Sequence, residues 1–159
     1  MSSTPPRTVF EPEFTVALCQ IFEEHISFNK VLGLQVTALE ALAAEATVVM
    51  RPELIGHFAH QRMHGGVISA TLDALGGLAV MAAIGDRHRD ELPSVRLQRF
   101  NKLGTIDLRV DYLRPAIGDH FIARAEVLRL GSRVASTRME FMDAQRRLLS
   151  TGSAAYMVS

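Results

Sequence analysis

The chain has 159 residues, 17 Lys+Arg against 17 Asp+Glu, and 48% hydrophobic residues. That length suits one domain with a sizeable core, and the zero net charge excludes the basic excess that a nucleic-acid-binding module needs for its phosphate contacts. High apolar content at zero net charge also excludes a disordered chain, and weak self-repulsion leaves the protein free to associate with copies of itself. A single Cys19 cannot form an intramolecular disulfide, and Met1–Arg7 leads into no apolar stretch of the signal-peptide kind. The chain therefore reads as cytoplasmic and reduced.

Residues 1–11, with Pro5 and Pro6, read as a flexible tail before one domain over 12–159. Apolar positions then fall at Phe14, Leu18, Ile21, Phe22 and Phe28, with Glu23, Glu24 and Lys30 between them. This spacing predicts one amphipathic helix from Pro12 to Asn29, closed near Gly33. Leu34–Leu39 and Ala46–Met50 fit two strands joined by a turn.

Residues 65–85, GGVISATLDALGGLAVMAAIG, carry one charged residue, Asp73. About 18 consecutive apolar residues suffice for a membrane span. Against that reading, Asp73 would sit deep in the bilayer, where an ionised carboxylate is costly, and Ser69, Thr71, Gly76 and Gly77 dilute the apolar run. A helix apolar all round instead belongs inside a protein.

The charge-rich stretch Asp86–Lys102 reads as a long connection with a short helix after Pro93. Ile106, Leu108, Val110 and Tyr112 then alternate with Asp107, Arg109 and Asp111 in a strand that stops at Pro115. The alternation places Thr105 on the polar face with Asp107. Phe121–Val127 fits the next strand, Gly131-Ser132 a two-residue hairpin turn, and Val134–Met142 and Leu148–Val158 the last two. Consecutive hairpins imply an antiparallel sheet, so the order predicts an α+β fold with one long helix against a curled sheet.

His64-Gly65-Gly66 opens the apolar helix. Free N–H groups and the positive end of the helix dipole at such a start could bind a phosphate or stabilise an oxyanion, although two glycines can equally make a tight turn. Asp73, a carboxylate in an otherwise uncharged helix, must be solvated, paired or functional. It lies eight residues after Gly65, roughly 12 Å along the axis at 1.5 Å per residue. That is too far for both to act on one carbonyl within a subunit. Antiparallel pairing of two such helices by twofold symmetry would bring Gly65 of one copy near Asp73 of the other.

His57, His60 and His64 are spaced by three and four residues, but with no Cys or Glu nearby they give little support for zinc. Arg87, Arg89, Arg96, Arg99 and Lys102, and likewise Arg114, Arg129 and Arg133, could meet phosphates or simply be solvated.

His-Gly-Gly with Asp73 nine residues after the His, followed by GTIDLRVDYLRP over 104–115, resembles the hotdog-fold acyl-CoA thioesterases of the PaaI type, and among them most the YigI-like branch. The resemblance covers residues 30–158. It implies a hotdog fold and hydrolysis of a medium/long-chain or aryl acyl-CoA, with no cofactor, since CoA is part of the substrate. It implies Asp73 as general base or nucleophile, the Gly65 amide of a partner copy polarising the thioester carbonyl, and Thr105 positioning water. His57 stands at or beside the place where the family usually carries an Asn. His64, Gly66, Arg114 and Arg133 are further substrate-binding candidates, and a homodimer or a dimer of dimers is expected. Two alternatives stand beside this: a hotdog hydratase or dehydratase using His64 with Asp73, and a non-catalytic acyl-CoA sensor.

Overall fold

The computed structural model describes residues 5–159. Residues 1–4 of the expected tail lie outside them. The expected looseness ends earlier than Pro12. Arg7–Thr8 (β1) pairs in parallel with Ala38 and Leu39, and Phe10 is buried. The apolar Phe10 ring packs at a tilt against Phe14, centroids 5.2 Å apart, and draws this segment onto the core.

The expected helix over Pro12–Asn29 is broken into three pieces. They are α1 (Pro12–Gln20), a π turn (Ile21–His25) and α2 (Ser27–Leu32). Long-range polar contacts hold the break, because Asn29 Nδ2 donates to the Phe22 carbonyl and the Glu23 carboxylate accepts the Val36 N–H at 2.6 Å. Gly33, at φ +72°, closes α2 in the left-handed region.

Next come β2 (Gln35–Leu39) and β3 (Ala43–Val49), and then β4 (Ile55–His57) and β5 (Arg62–Met63), which pair with each other. β3 begins three residues before the expected Ala46. Its alanines favour a helix, but hydrogen bonding to strands on both sides overrides that preference. After α3 (Gly65–Arg87) and α4 (Pro93–Gln98) come β6 (Gly104–Tyr112), β7 (His120–Leu130), β8 (Val134–Asp143) and β9 (Leu148–Met157).

Seven strands form one sheet in the order β1-β2-β3-β7-β8-β9-β6. The expectation of consecutive hairpins fails at β6. That strand pairs with β9, and the stretch after it crosses so that β7 can lie between β3 and β8. The β7–β8 hairpin closes with Gly131 N–H donating to the Val134 carbonyl, so Ser132 and Arg133 are its central residues, one position later than expected.

α3 is long and apolar enough to cross a membrane by composition alone, yet most of it is buried inside the protein. It packs against β3, β7, β8, β9 and β6, with Leu72, Leu78, Val80 and Met81 sealed. A helix wrapped by a curled sheet is the hotdog arrangement. The buried Arg96 of α4 ties the outer helices to this core, pairing with Glu11, donating to the Gly85 carbonyl at 3.1 Å and lying over the Phe14 ring.

Candidate active site

The first turn of α3 is capped by its own histidine. His64 Nδ1 accepts the Gly66 N–H at 2.8 Å, and Val67 and Ile68 donate to the His64 carbonyl. The Gly65 N–H is left without an acceptor among the described residues. Two sequence expectations change here. Gly66 has no free N–H to offer a substrate, and His64 Nδ1 is spent on the cap, which leaves its other ring nitrogen free.

Gly65 faces a cleft of about 530 Å³ shared with Arg62, His64, Ile68, Tyr112 and Arg114. Tyr112 donates its hydroxyl to the Gly65 carbonyl at 2.9 Å. A Cβ on residue 65 would stand 3.3 Å from that ring, so glycine lets the tyrosine lie close over the helix start. Arg114 is in this cleft, with Nη1 on the Leu148 carbonyl.

Asp73 opens into a different cleft, of about 300 Å³, together with Phe22, Ile26, Phe28, Phe100 and Thr105. Thr105 Oγ1 donates to Asp73 Oδ1 at 2.9 Å. The face expected for Thr105 was wrong, and a β-bulge is the reason. Thr105 pairs with Tyr156 while Asp107 pairs with Ala155, so Ile106 is an extra residue that reverses the alternation. The Asp107 carboxylate accepts the Ala155 N–H at 3.0 Å and steadies the bulge.

Tyr156 is the third member of this group. Its hydroxyl donates to the Asp73 carbonyl at 2.9 Å and approaches Oδ1 at 3.3 Å. Burial above all, and then the Asp73 charge, hold its phenol well above the ordinary value, so it remains a proton donor. Both donors meet Oδ1. Oδ2 has no partner among the described residues and is available to the cleft.

The structure does not bring His57 or Arg133 to either cleft. His57 sits on β4, its ring stacked on His60 at 4.7 Å and its Nδ1 buried without a partner. Arg133 tops the β7–β8 hairpin, beside the far end of α3, where Arg87 donates to the Leu130 and Gly131 carbonyls. Burial pushes the Cys19 thiol up to about 12, so it is no nucleophile. Among the described residues no three His, Cys, Asp or Glu side chains converge as metal ligands.

The family model of the thioesterase superfamily matches residues 60–150. The chain belongs to the thioesterase superfamily. The chain is 37% identical to the medium/long-chain acyl-CoA thioesterase YigI of Salmonella typhimurium over 139 residues, covering 87% of this chain and 90% of that protein. It is 36% identical to the Escherichia coli YigI over the same length. A crystal structure from Shewanella oneidensis, described as related to the thioesterase superfamily, superposes with a TM-score of 0.85 at 37% identity, covering 94% of this chain and all of that one. A thioesterase from Haemophilus influenzae shares the fold at 18% identity and a TM-score of 0.72. As a member of this superfamily the chain is a thioester hydrolase, and both clefts lie within or beside the matched segment.

Tyr112, Tyr156 and Arg62 are site residues that sequence reading did not single out. Tyr112 was in view as the end of a patterned strand, but nothing local says where its hydroxyl goes. For Tyr156 the one signal was indirect: Gly76-Gly77 inside a helix announces that something approaches closely.

Proposed function

We propose that this thioesterase hydrolyses medium/long-chain or aryl acyl-CoA to free acid and CoA in the cytoplasm, at sites shared between two copies of the chain. One observation carries the shared site. Gly65 N–H and Asp73 sit on one unbroken helix, eight residues and roughly 12 Å apart, and open into separate clefts. A thioester carbonyl cannot meet both within one chain. The surface supports pairing: β6 leaves one edge unpaired among the described residues, and Val67, Ala70 and Ala74 form a half-exposed apolar stripe on the early turns of α3. The YigI relatives, medium/long-chain acyl-CoA thioesterases, support the medium/long-chain part of the substrate class.

In this reading the carbonyl oxygen lies against the Gly65 N–H, where the helix dipole favours growing negative charge. Asp73 Oδ2 of the other copy takes a proton from water as the water oxygen bonds to the carbonyl carbon. The carbon–sulfur bond then breaks, and the CoA thiolate leaves and is protonated. Direct attack by Oδ2 would instead form an anhydride that water opens. Thr105 and Tyr156 hold Oδ1, so the carboxylate presents its other oxygen in either route.

The test is subunit complementation with thiol release as readout. Asp73→Asn removes the base. Gly65→Pro removes the N–H at the first helical position, where the extended His64 suits a following proline, at the cost of crowding the Tyr112 ring, which a Cβ there meets at 3.3 Å. Each variant alone is expected to lose about 10²–10⁴-fold in kcat. Mixed and re-associated, they should regain activity, because one of two shared sites is then intact. Recovery of nothing, from variants that are folded and exchange subunits, would refute the shared site. Near-normal turnover by Asp73→Asn would refute the role of the carboxylate, and tight acyl-CoA binding without thiol release by the natural chain would favour a sensor.

A further inference from the structure

Glycines at positions 76, 77 and 85 fall in the buried run of α3, and glycine within a helix is less stable than alanine. Two of them have a packing reason. A Cβ on Gly76 would collide with the Tyr156 hydroxyl and stand 2.9 Å from Met139 Sδ, and one on Gly85 would collide with the Phe14 ring. Gly77 has no such reason. Its nearest neighbours would be Leu103 Cδ2 at 3.4 Å, Phe22 Cε1 at 3.8 Å and Tyr156 Cε1 at 3.9 Å, all ordinary contacts. Alanine would fit there and would favour the helix.

The missing methyl group has another use. Gly77 lies four residues after Asp73, one turn along the same side of α3, and both line the cleft of about 300 Å³. Past the Asp73–Thr105 pair the walls are Phe22, Ile26, Phe28, Phe100 and Leu103, and no lining side chain but Asp73 is charged. The cleft around Gly65 is different, since it carries Arg62, His64 and Arg114. The hydrocarbon of an acyl thioester starts one bond from the reacting carbon, so it must leave the Asp73 carboxylate along the apolar wall. The phosphate-bearing end then falls on the arginine side.

We propose that the cleft beside Asp73 receives the acyl chain and that Gly77 forms its inner wall, setting the longest chain that fits. This rests on Asp73 being the carboxylate that works on the thioester. The bulky walls of the pocket come from the π turn, Ile26, α2 and the 99–103 stretch, whose aromatic and branched side chains leave α3 to supply the bare surface. Each methylene shut out of such a pocket forfeits roughly fourfold in kcat/KM.

The experiment measures kcat/KM by thiol release for the natural chain, Gly77→Ala and Gly77→Val over straight-chain acyl-CoA substrates from short to long. Gly77→Ala should melt at the same temperature or roughly 2–4 °C higher. Its long-to-short ratio of kcat/KM should fall about fourfold, and that of Gly77→Val on the order of tenfold or more, as its added carbons occupy more of the pocket. An unchanged length profile in both folded variants, with the natural chain active, would overturn this inference alone. No thiol release by the natural chain from any acyl-CoA would overturn the functional reading, and this inference with it.

Discussion

Replacing Gly76 with alanine separates packing from helix propensity beside Asp73. By propensity alone the change should stabilise α3 by about 1 kcal/mol. The structure reverses the sign. The new methyl would overlap the Tyr156 hydroxyl and lie 2.9 Å from the ring carbon bearing it, and the ring is packed in the core at 1% exposure. Overpacking of this kind costs about 1–3 kcal/mol and can exceed it. Because the obstacle is a rigid aromatic, the upper part of that range applies, and a net loss of about 1–2 kcal/mol remains. For a chain of this size that is a fall in melting temperature of roughly 2–8 °C. Moving the hydroxyl also breaks its bond to the Asp73 carbonyl and leaves Oδ1 held by Thr105 alone, so kcat should drop by roughly tenfold, the worth of one or two hydrogen bonds. Tyr156→Phe deletes the hydroxyl and should reproduce the fall in kcat. In that background Gly76→Ala should cost less stability than it does alone, because its worst overlap is gone. Thermal melts and thiol-release kinetics on the four members of this cycle provide the measurement. Strict additivity of the two changes, or a Gly76→Ala protein as stable as the natural one, would refute the claim that Gly76 exists to admit Tyr156.

Two further predictions concern the frame around the site. Glu11→Ala leaves the buried Arg96 without its counter-ion and should cost about 2–3 kcal/mol, below the usual 3–5 because Glu11 is 39% exposed; a chemical denaturation midpoint unchanged by the substitution would dismiss the pair as a clamp. Asp143 accepts the Arg147 and Gln145 N–H groups and the Arg147 guanidinium, and the Arg147 amide above all holds its carboxyl below the ordinary range. A depressed folded-state pKa gives stability that is fully present above the unfolded value of about 3.9 and is lost as pH falls through the folded one. Asp143→Ala should therefore lower the melting temperature at neutral pH, with the gap to the natural protein closing below about pH 3.9. A gap that stays constant down the acid range would show that the turn does not depend on the carboxylate's charge.

Much of the site was legible because its chemistry is written in local pattern. Asp73 stands out as the lone charge in an apolar helix, His64-Gly65-Gly66 marks the helix start, and fixed helical rise turns eight residues into a distance that one chain cannot span. The α+β layout followed in the same way, since period and turn residues are properties of short stretches. What escaped depended on partners distant in sequence. The break at the π turn is held by Asn29 and by Val36, the pairing of β6 with β9 skips two strands, and β1 is ordered by a core it only touches. Thr105 shows the difference most clearly. Alternation along its strand turned it away from Asp73, and one bulged residue, Ile106, between the Thr105–Tyr156 and Asp107–Ala155 pairs, turned it back. Composition and spacing singled out the groups proposed for the chemistry, Asp73 and the helix start at Gly65, and the distance between them from which a shared site is proposed. Strand register and helix packing, set by contacts tens of residues apart, decided which side chains hold Asp73, where the apolar cleft lies, and that His57 and Arg133 stand outside it.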